Sequence, residues 1–229
     1  MLYKRLFVYS RWPIPVPRPR TIPDEALLDG ALAVMRRAGP EGITFAAVAA
    51  ETGLSAATLV QRFGGKAALM QAALLRAWDL LDARTAEADA AAPPGPAGAV
   101  ALLLALSGDY DAGADYAEGL LVLREDMRDP ALRARGAAWG EALAAALGRR
   151  LADADGPRPD LGRLMAAQWQ GAVLWWGFER GRPLRDAVAA GLEEFCRAVG
   201  TTADAEPDGP EPPPHPKSLT RFRPLPKER

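Results

Sequence analysis

The chain has 229 residues, enough for one or two compact domains with a substantial core. Its 28 Lys/Arg and 29 Asp/Glu nearly cancel, so total charge points to no partner. The longest apolar run, residues 99–106, is far shorter than the roughly 20 residues of a membrane span. A single cysteine, Cys196, excludes an internal disulfide and fits a reducing cytoplasm.

Alanine, leucine, arginine and aspartate dominate and β-branched residues are sparse, which predicts an all-α fold. The distribution of charge says more than its total. Residues 1–70 hold nine Lys/Arg against five Asp/Glu, whereas residues 71–200 hold fourteen against nineteen. The first third is therefore the part suited to a polyanion.

In chain order, residues 1–20 form a basic, proline-rich arm with Lys4, Arg5, Arg11, Arg18 and Arg20. Its composition predicts an extended, weakly structured segment and does not read as a signal peptide. Pro23, Asp24 and Glu25 are a first-turn signature of a helix. Leu27, Leu28, Ala31, Leu32 and Met35 continue it at helical spacing until AGPEG, residues 38–42, stops it. A long amphipathic helix is expected from Lys66 to about Ala86, broken by PPGPAG at 93–98. Helices follow at about 98–107, 114–126, 130–154, 159–180 and 184–199, and from Thr201 a proline- and charge-rich tail is expected to be disordered. The predicted organisation is thus an arm (1–20), a small helical domain (21–66), a larger helical domain (67–200) and a tail (201–229).

The stretch 44–66, TFAAVAAETGLSAATLVQRFGGK, breaks one helix at Gly53 and starts another after Ser55. Glycine reaches the left-handed conformation that ends a helix, and serine caps the next one. Leu59 and Phe63 then face inward, and Ala56, Ala57, Val60 and Gln61 face outward. This is a helix-turn-helix, in which the first helix braces the second so that it can enter a major groove. An ordinary helical hairpin would read the same way from these residues alone.

Thr44, Ala49, Gly53-Leu54-Ser55, Thr58-Leu59, Phe63 and Lys66 lie in register with a known pattern. Over about residues 24–70 the chain resembles the DNA-binding domain of the tetracycline-repressor (TetR-like) family of transcription regulators. The resemblance implies a ligand-responsive regulator, a repressor that binds a palindromic operator on double-stranded DNA as a homodimer. It implies phosphate contacts from Thr44 and Lys66, with Ser55 and Thr58 on or near the DNA. Ala56, Ala57 and Gln61 would face base edges, and Arg62 stands where the family often has histidine. Val60 replaces a usual tyrosine and Gly65 a usual serine or asparagine, so readout by hydrogen bonds is thin. An all-helical interaction module with degenerate DNA binding is the competing reading.

The resemblance also implies a small apolar or aromatic effector held in the larger domain. Candidate pocket residues are Trp78, Leu102, Leu106, Tyr110, Tyr116, Leu120, Met127, Trp139, Met165, Gln168 and Trp169, a mix of aromatic, sulfur and polar groups. MAAQWQGAVLWWGFER, residues 165–180, is apolar almost all round between Ala172 and Trp176 and must be covered on more than one side. Gly171, Ala172 and Trp175 with the stripe Leu184, Val188, Leu192 and Phe195 are the expected two-fold interface, a four-helix arrangement.

Nothing predicts an enzyme, a metal or a cofactor. The one histidine, His215, lies among prolines in the tail, and no ligand spacing or glycine-rich loop after a strand is present. Cys196 beside Phe195 reads as a buried structural thiol.

Overall fold

The computed structural model describes residues 22–108 and 113–201, without the side chains of 113–118. Among these residues the regular elements are helices: α1 Asp24–Ala38, a 3-10 turn Pro40–Gly42, α2 Phe45–Thr52, α3 Ala56–Phe63, α4 Lys66–Ala91, α5 Gly95–Leu106, α6 Gly113–Arg128, α7 Pro130–Arg150, α8 Pro159–Glu179 and α9 Leu184–Ala198. No helix here is long and apolar enough to cross a membrane.

The boundaries follow local chemistry. Thr44, Ser55 and Asp129 cap α2, α3 and α7 with their side-chain oxygens. Pro94 and Pro96 sit at the start of α5, where a missing N–H costs nothing, so that helix begins inside PPGPAG rather than after it. The helix expected to stop near residue 86 runs on to Ala91. The helix expected to reach 154 stops at Arg150, because Asp153 and Gly156 pair backbone to backbone in a tight turn.

Two apolar clusters form. The first joins α1–α3 to the opening turns of α4 through Leu27, Ile43, Val48, Leu59 and Leu69. The second joins α5, α7, α8 and α9 through Leu102, Leu147, Met165, Val188 and Leu192. Both α4 and α7 contribute to each cluster, α4 through Leu69 and Ala88 and α7 through Leu132 and Leu147, so these two helices bridge the two parts. The residues 201–229 tail and the residues 1–20 arm lie outside the described residues, apart from Thr201.

Candidate nucleic-acid interface

Gly53 adopts φ 71°, ψ 13° and its N–H donates to the Ala49 carbonyl at 2.9 Å, which closes α2 in the left-handed conformation. Two residues later Ser55 Oγ accepts from the Thr58 N–H at 3.1 Å, and its hydroxyl also lies 2.8 Å from Thr58 Oγ1. Leu54 and Phe63 pack against the first cluster and Leu59 is fully buried, so α3 is anchored along one side. Its other side carries Ala56, Ala57, Val60 and Gln61, all exposed. Gly64, at φ 74°, then turns the chain into α4. The result is a short helix held from behind, with a shallow face of small side chains toward solvent.

The flanking residues are not idle. Thr44 Oγ1 accepts from the Ala47 N–H at 3.0 Å, which leaves its hydroxyl proton free to donate outward. Lys66 Nζ donates to the Glu41 carbonyl at 3.2 Å and lies 3.7 Å from the Glu41 carboxylate. Arg62 donates from Nη1 to Asp24 Oδ1 at 2.9 Å and to the Ile22 carbonyl at 3.2 Å. Both cations of the expected interface, Arg62 and Lys66, are therefore already paired with acids of α1 and the 3-10 turn.

Residues 27–73 match the family model "Bacterial regulatory proteins, tetR family". This segment is a TetR-like DNA-binding domain. No curated protein matches the TetR-like chain. Solved structures share its fold. A tetR-family transcriptional regulator from Streptomyces coelicolor is 23% identical with a TM-score of 0.58, covering 78% of this chain and 84% of its own. The multidrug binding protein EbrR, complexed with malachite green, is 25% identical with a TM-score of 0.54, covering 75% and 96%. A protein from Saccharomonospora viridis in complex with choline is 21% identical with a TM-score of 0.58, covering 75% and 94%.

In the larger helical part of this TetR-like chain, Trp78, Trp139 and Trp169 make a row, with ring centroids 5.9 and 6.5 Å apart. Each indole N–H is used: Trp78 donates to Asp126 at 3.1 Å, Trp139 to Thr85 at 3.0 Å and Trp169 to Ser107 at 2.9 Å. Leu102, Leu106 and Met165 are buried in the adjoining cluster. Leu120, Met127 and Gln168 correct the expected pocket, because they face solvent. Tyr110 lies outside the described residues, as does the side chain of Tyr116. A cavity of about 300 Å³ lies elsewhere, between the first turns of α4 and the α6–α7 junction, lined by Met70, Gln71, Leu74, Asp129 and Leu132 among others. None of the expected pocket residues lines it.

Polar contacts fasten α4 to its neighbours along its length. Gln71 donates to Asp129 at 2.7 Å, Arg135 pairs with Asp79 at 3.1 Å and with Asp82, and Arg149 and Arg150 both pair with Asp89. These acids and donors belong to two or more successive turns facing α6 and α7. The helix is thus clasped against α6 and α7 rather than free.

Burial raises the carboxyl of Asp126 above the usual range, partly offset by the Trp78 hydrogen bond. The native state consequently favours the protonated form, and stability falls as pH rises through that raised value. Asp126→Asn keeps an acceptor for Trp78 and removes the partly buried charge. Its melting temperature is expected to exceed the wild type's at neutral pH. The gain should vanish as pH falls through the raised value toward the unfolded carboxyl's. Parallel melts across that range check it, and a pH-independent difference would refute it.

The interface expectation also changes. Leu184, Val188 and Leu192 are buried inside the protomer, against α5 and α8, so this stripe of α9 is spent on its own core. Ala172 and Phe195 are partly buried against the same cluster, and Gly171 is intermediate. Trp175 alone of the expected set stands well out, with Leu164, Leu174 and Phe178 exposed beside it on α8. Those three share the helical spacing of Trp175 and were not among the residues expected at an interface. Cys196 is buried, and burial pushes its thiol up.

Proposed function

We propose that this TetR-like chain is a dimeric, effector-responsive repressor that reads a palindromic operator through α3. The observation that carries this reading is the exposed, small-residue face of α3, braced by α2 across the left-handed Gly53 turn. In this reading Thr44, Ser55, Thr58 and Lys66 position the domain on phosphates, and Ala56, Ala57 and Gln61 meet base edges. Gln61 is the one amide on the face, and amides pair with adenine, whereas the alanines favour thymine methyls.

Two copies would meet through Leu164, Leu174, Trp175 and Phe178 of α8, which sets the spacing of the two α3 helices. An organic effector, of the apolar or aromatic kind, would enter the regulatory part by rearranging the tryptophan row. The complexes of EbrR with malachite green and of the Saccharomonospora viridis protein with choline support an organic ligand class. Because α4 is clasped by α6 and α7, such a ligand would shift all three helices and so the separation of the recognition helices. A compound that quenches tryptophan emission should release DNA, and DNA should weaken that compound by the same factor. Quenching without the reciprocal effect would remove the coupling from this reading.

Gel shift on the DNA upstream of its own gene is the direct test. Lys66→Ala is expected to weaken every sequence about equally and flatten the salt dependence by about one unit per lost phosphate contact. Gln61→Ala is expected to change sequence preference at one position per half-site by about 1–3 kcal/mol. Absence of binding by the wild type would leave the interaction-module reading in its place.

A further inference from the structure

Arg62 and Lys66 stand close together at the end of the helix-turn-helix, yet they are held in different ways. Lys66 lies 3.2 Å from the Glu41 carbonyl and 3.7 Å from its carboxylate, and the two side chains are 43% and 95% exposed. A pair so well hydrated costs little to exchange for a phosphate. The Arg62 side chain is 26% exposed, and its Nη1 donates twice, to Asp24 Oδ1 at 2.9 Å and to the Ile22 carbonyl at 3.2 Å. Ile22 itself packs on the first cluster, so that backbone acceptor is fixed. A phosphate brought to Arg62 would also meet the Asp24 carboxylate beside it, and like charges repel.

The two bonds cross a gap that the packing leaves. Both α1 and α3 pack chiefly on α2 and α4 rather than on each other. Leu59 is the one described residue of α3 that is fully buried, with Phe63 partly buried one turn on. Apolar burial is non-directional, so this narrow stripe sets the depth of a two-turn helix better than its rotation. Arg62, in the last turn of α3, reaches the first residue of α1 across 38 residues of chain. Charge-assisted hydrogen bonds are directional, and Gln61 is the next residue along the helix.

We propose that Arg62 is a positioning residue for operator reading: its bonds to Asp24 and the Ile22 carbonyl fix the rotation of α3, and so the aim of Gln61, and it is not a phosphate ligand. This rests on the operator-binding reading above. Lys66 remains the cation that meets phosphate.

The test uses the full chain and duplexes that the wild type enriches from a random-sequence pool, at a temperature where circular dichroism shows every variant folded. Arg62→Ala and Asp24→Ala are each expected to weaken binding about 5-fold per half-site. The double variant should be no weaker than the weaker single one, since both remove the same link. The log–log salt slope is expected to stay at the wild-type value in all three, whereas Lys66→Ala loses about one unit per protomer. Enrichment repeated with Asp24→Ala should show relaxed preference at the base that Gln61 meets, which a mere loss of folded protein would not produce. Glu25→Ala, which also removes a first-turn acid of α1, is expected to bind at least as tightly as the wild type. Asp24→Ala decides by its sign: tighter binding would mean that the acid had been restraining a phosphate ligand, and would overturn the positioning role. A slope reduced in Arg62→Ala, an affinity unchanged in it, or an unrelaxed preference in Asp24→Ala would overturn it too, while leaving α3 as the reader. A wild type that enriches no duplex would overturn this role and the operator-binding reading together.

Discussion

Replacing Trp175 and Phe178 together by glutamate is expected to give a folded monomer that no longer holds its operator. In the protomer these side chains are 64% and 76% exposed, with ring centroids 5.9 Å apart. Leu174 is exposed beside them, and Leu164 is exposed about three turns earlier on α8. Exposed apolar patches mark interaction surfaces, and a two-fold axis through α8 would cover this one with its own copy. Glutamates placed there would face each other across the axis, unpaired and partly desolvated. Stability within the protomer should change by no more than about 0.5 kcal/mol, since the substituted groups contact water. Operator affinity should fall about 100-fold or more, because the second half-site is no longer tethered to the first. Sedimentation of both proteins at micromolar concentration decides the matter. A monomeric wild type, or a variant that stays dimeric, would remove α8 from the interface.

Gly162→Ala is expected to destabilise the larger helical part more than any surface change, by about 3 kcal/mol, the upper end for overpacking. Gly162 of α8 lies directly on α7. A methyl there would collide with the Ala144 carbonyl oxygen and the Gly148 nitrogen, both helix backbone that no rotamer change can move. The two helices would have to separate, and between them lie Leu143, Leu147, Leu161 and Met165, all buried. For a chain of this size that cost lowers the melting temperature by roughly 6–12 °C. Gly140→Ala is the matched control: nothing lies within 4 Å of its new methyl, so it should gain up to about 1 kcal/mol from helix propensity. Equal melting of the two variants would show that the α7–α8 crossing is wider than described.

Much of this protein was written locally. Pro23 with Asp24 and Glu25, the Gly53–Ser55 pair, Pro94 with Pro96, Asp129 before Pro130, and Pro183 each start or stop a helix within a few residues. Caps, fixed proline φ and left-handed glycine act over that range, so they can be read without knowing the fold. The outward face of α3 was legible for the same reason, since 3.6-residue periodicity on a short capped helix leaves Leu59 and Phe63 one side to occupy.

The partners across space were not legible. Arg62 finds Asp24, and Trp78 finds Asp126, over separations of 38 and 48 residues, and no periodicity encodes either meeting. The tryptophans of the expected pocket instead filled the space, each N–H satisfied, while the cavity opened at the α6–α7 junction. The hardest case was α8 and α9. An apolar stripe announces that a face will be covered, but burial is non-directional and says nothing about what covers it. Leu184, Val188 and Leu192 belong to the chain's own core because α5 and α8 pack over them. Trp175 and Phe178, on the same apolar run, were left facing outward because no further helix of the described chain packs over them.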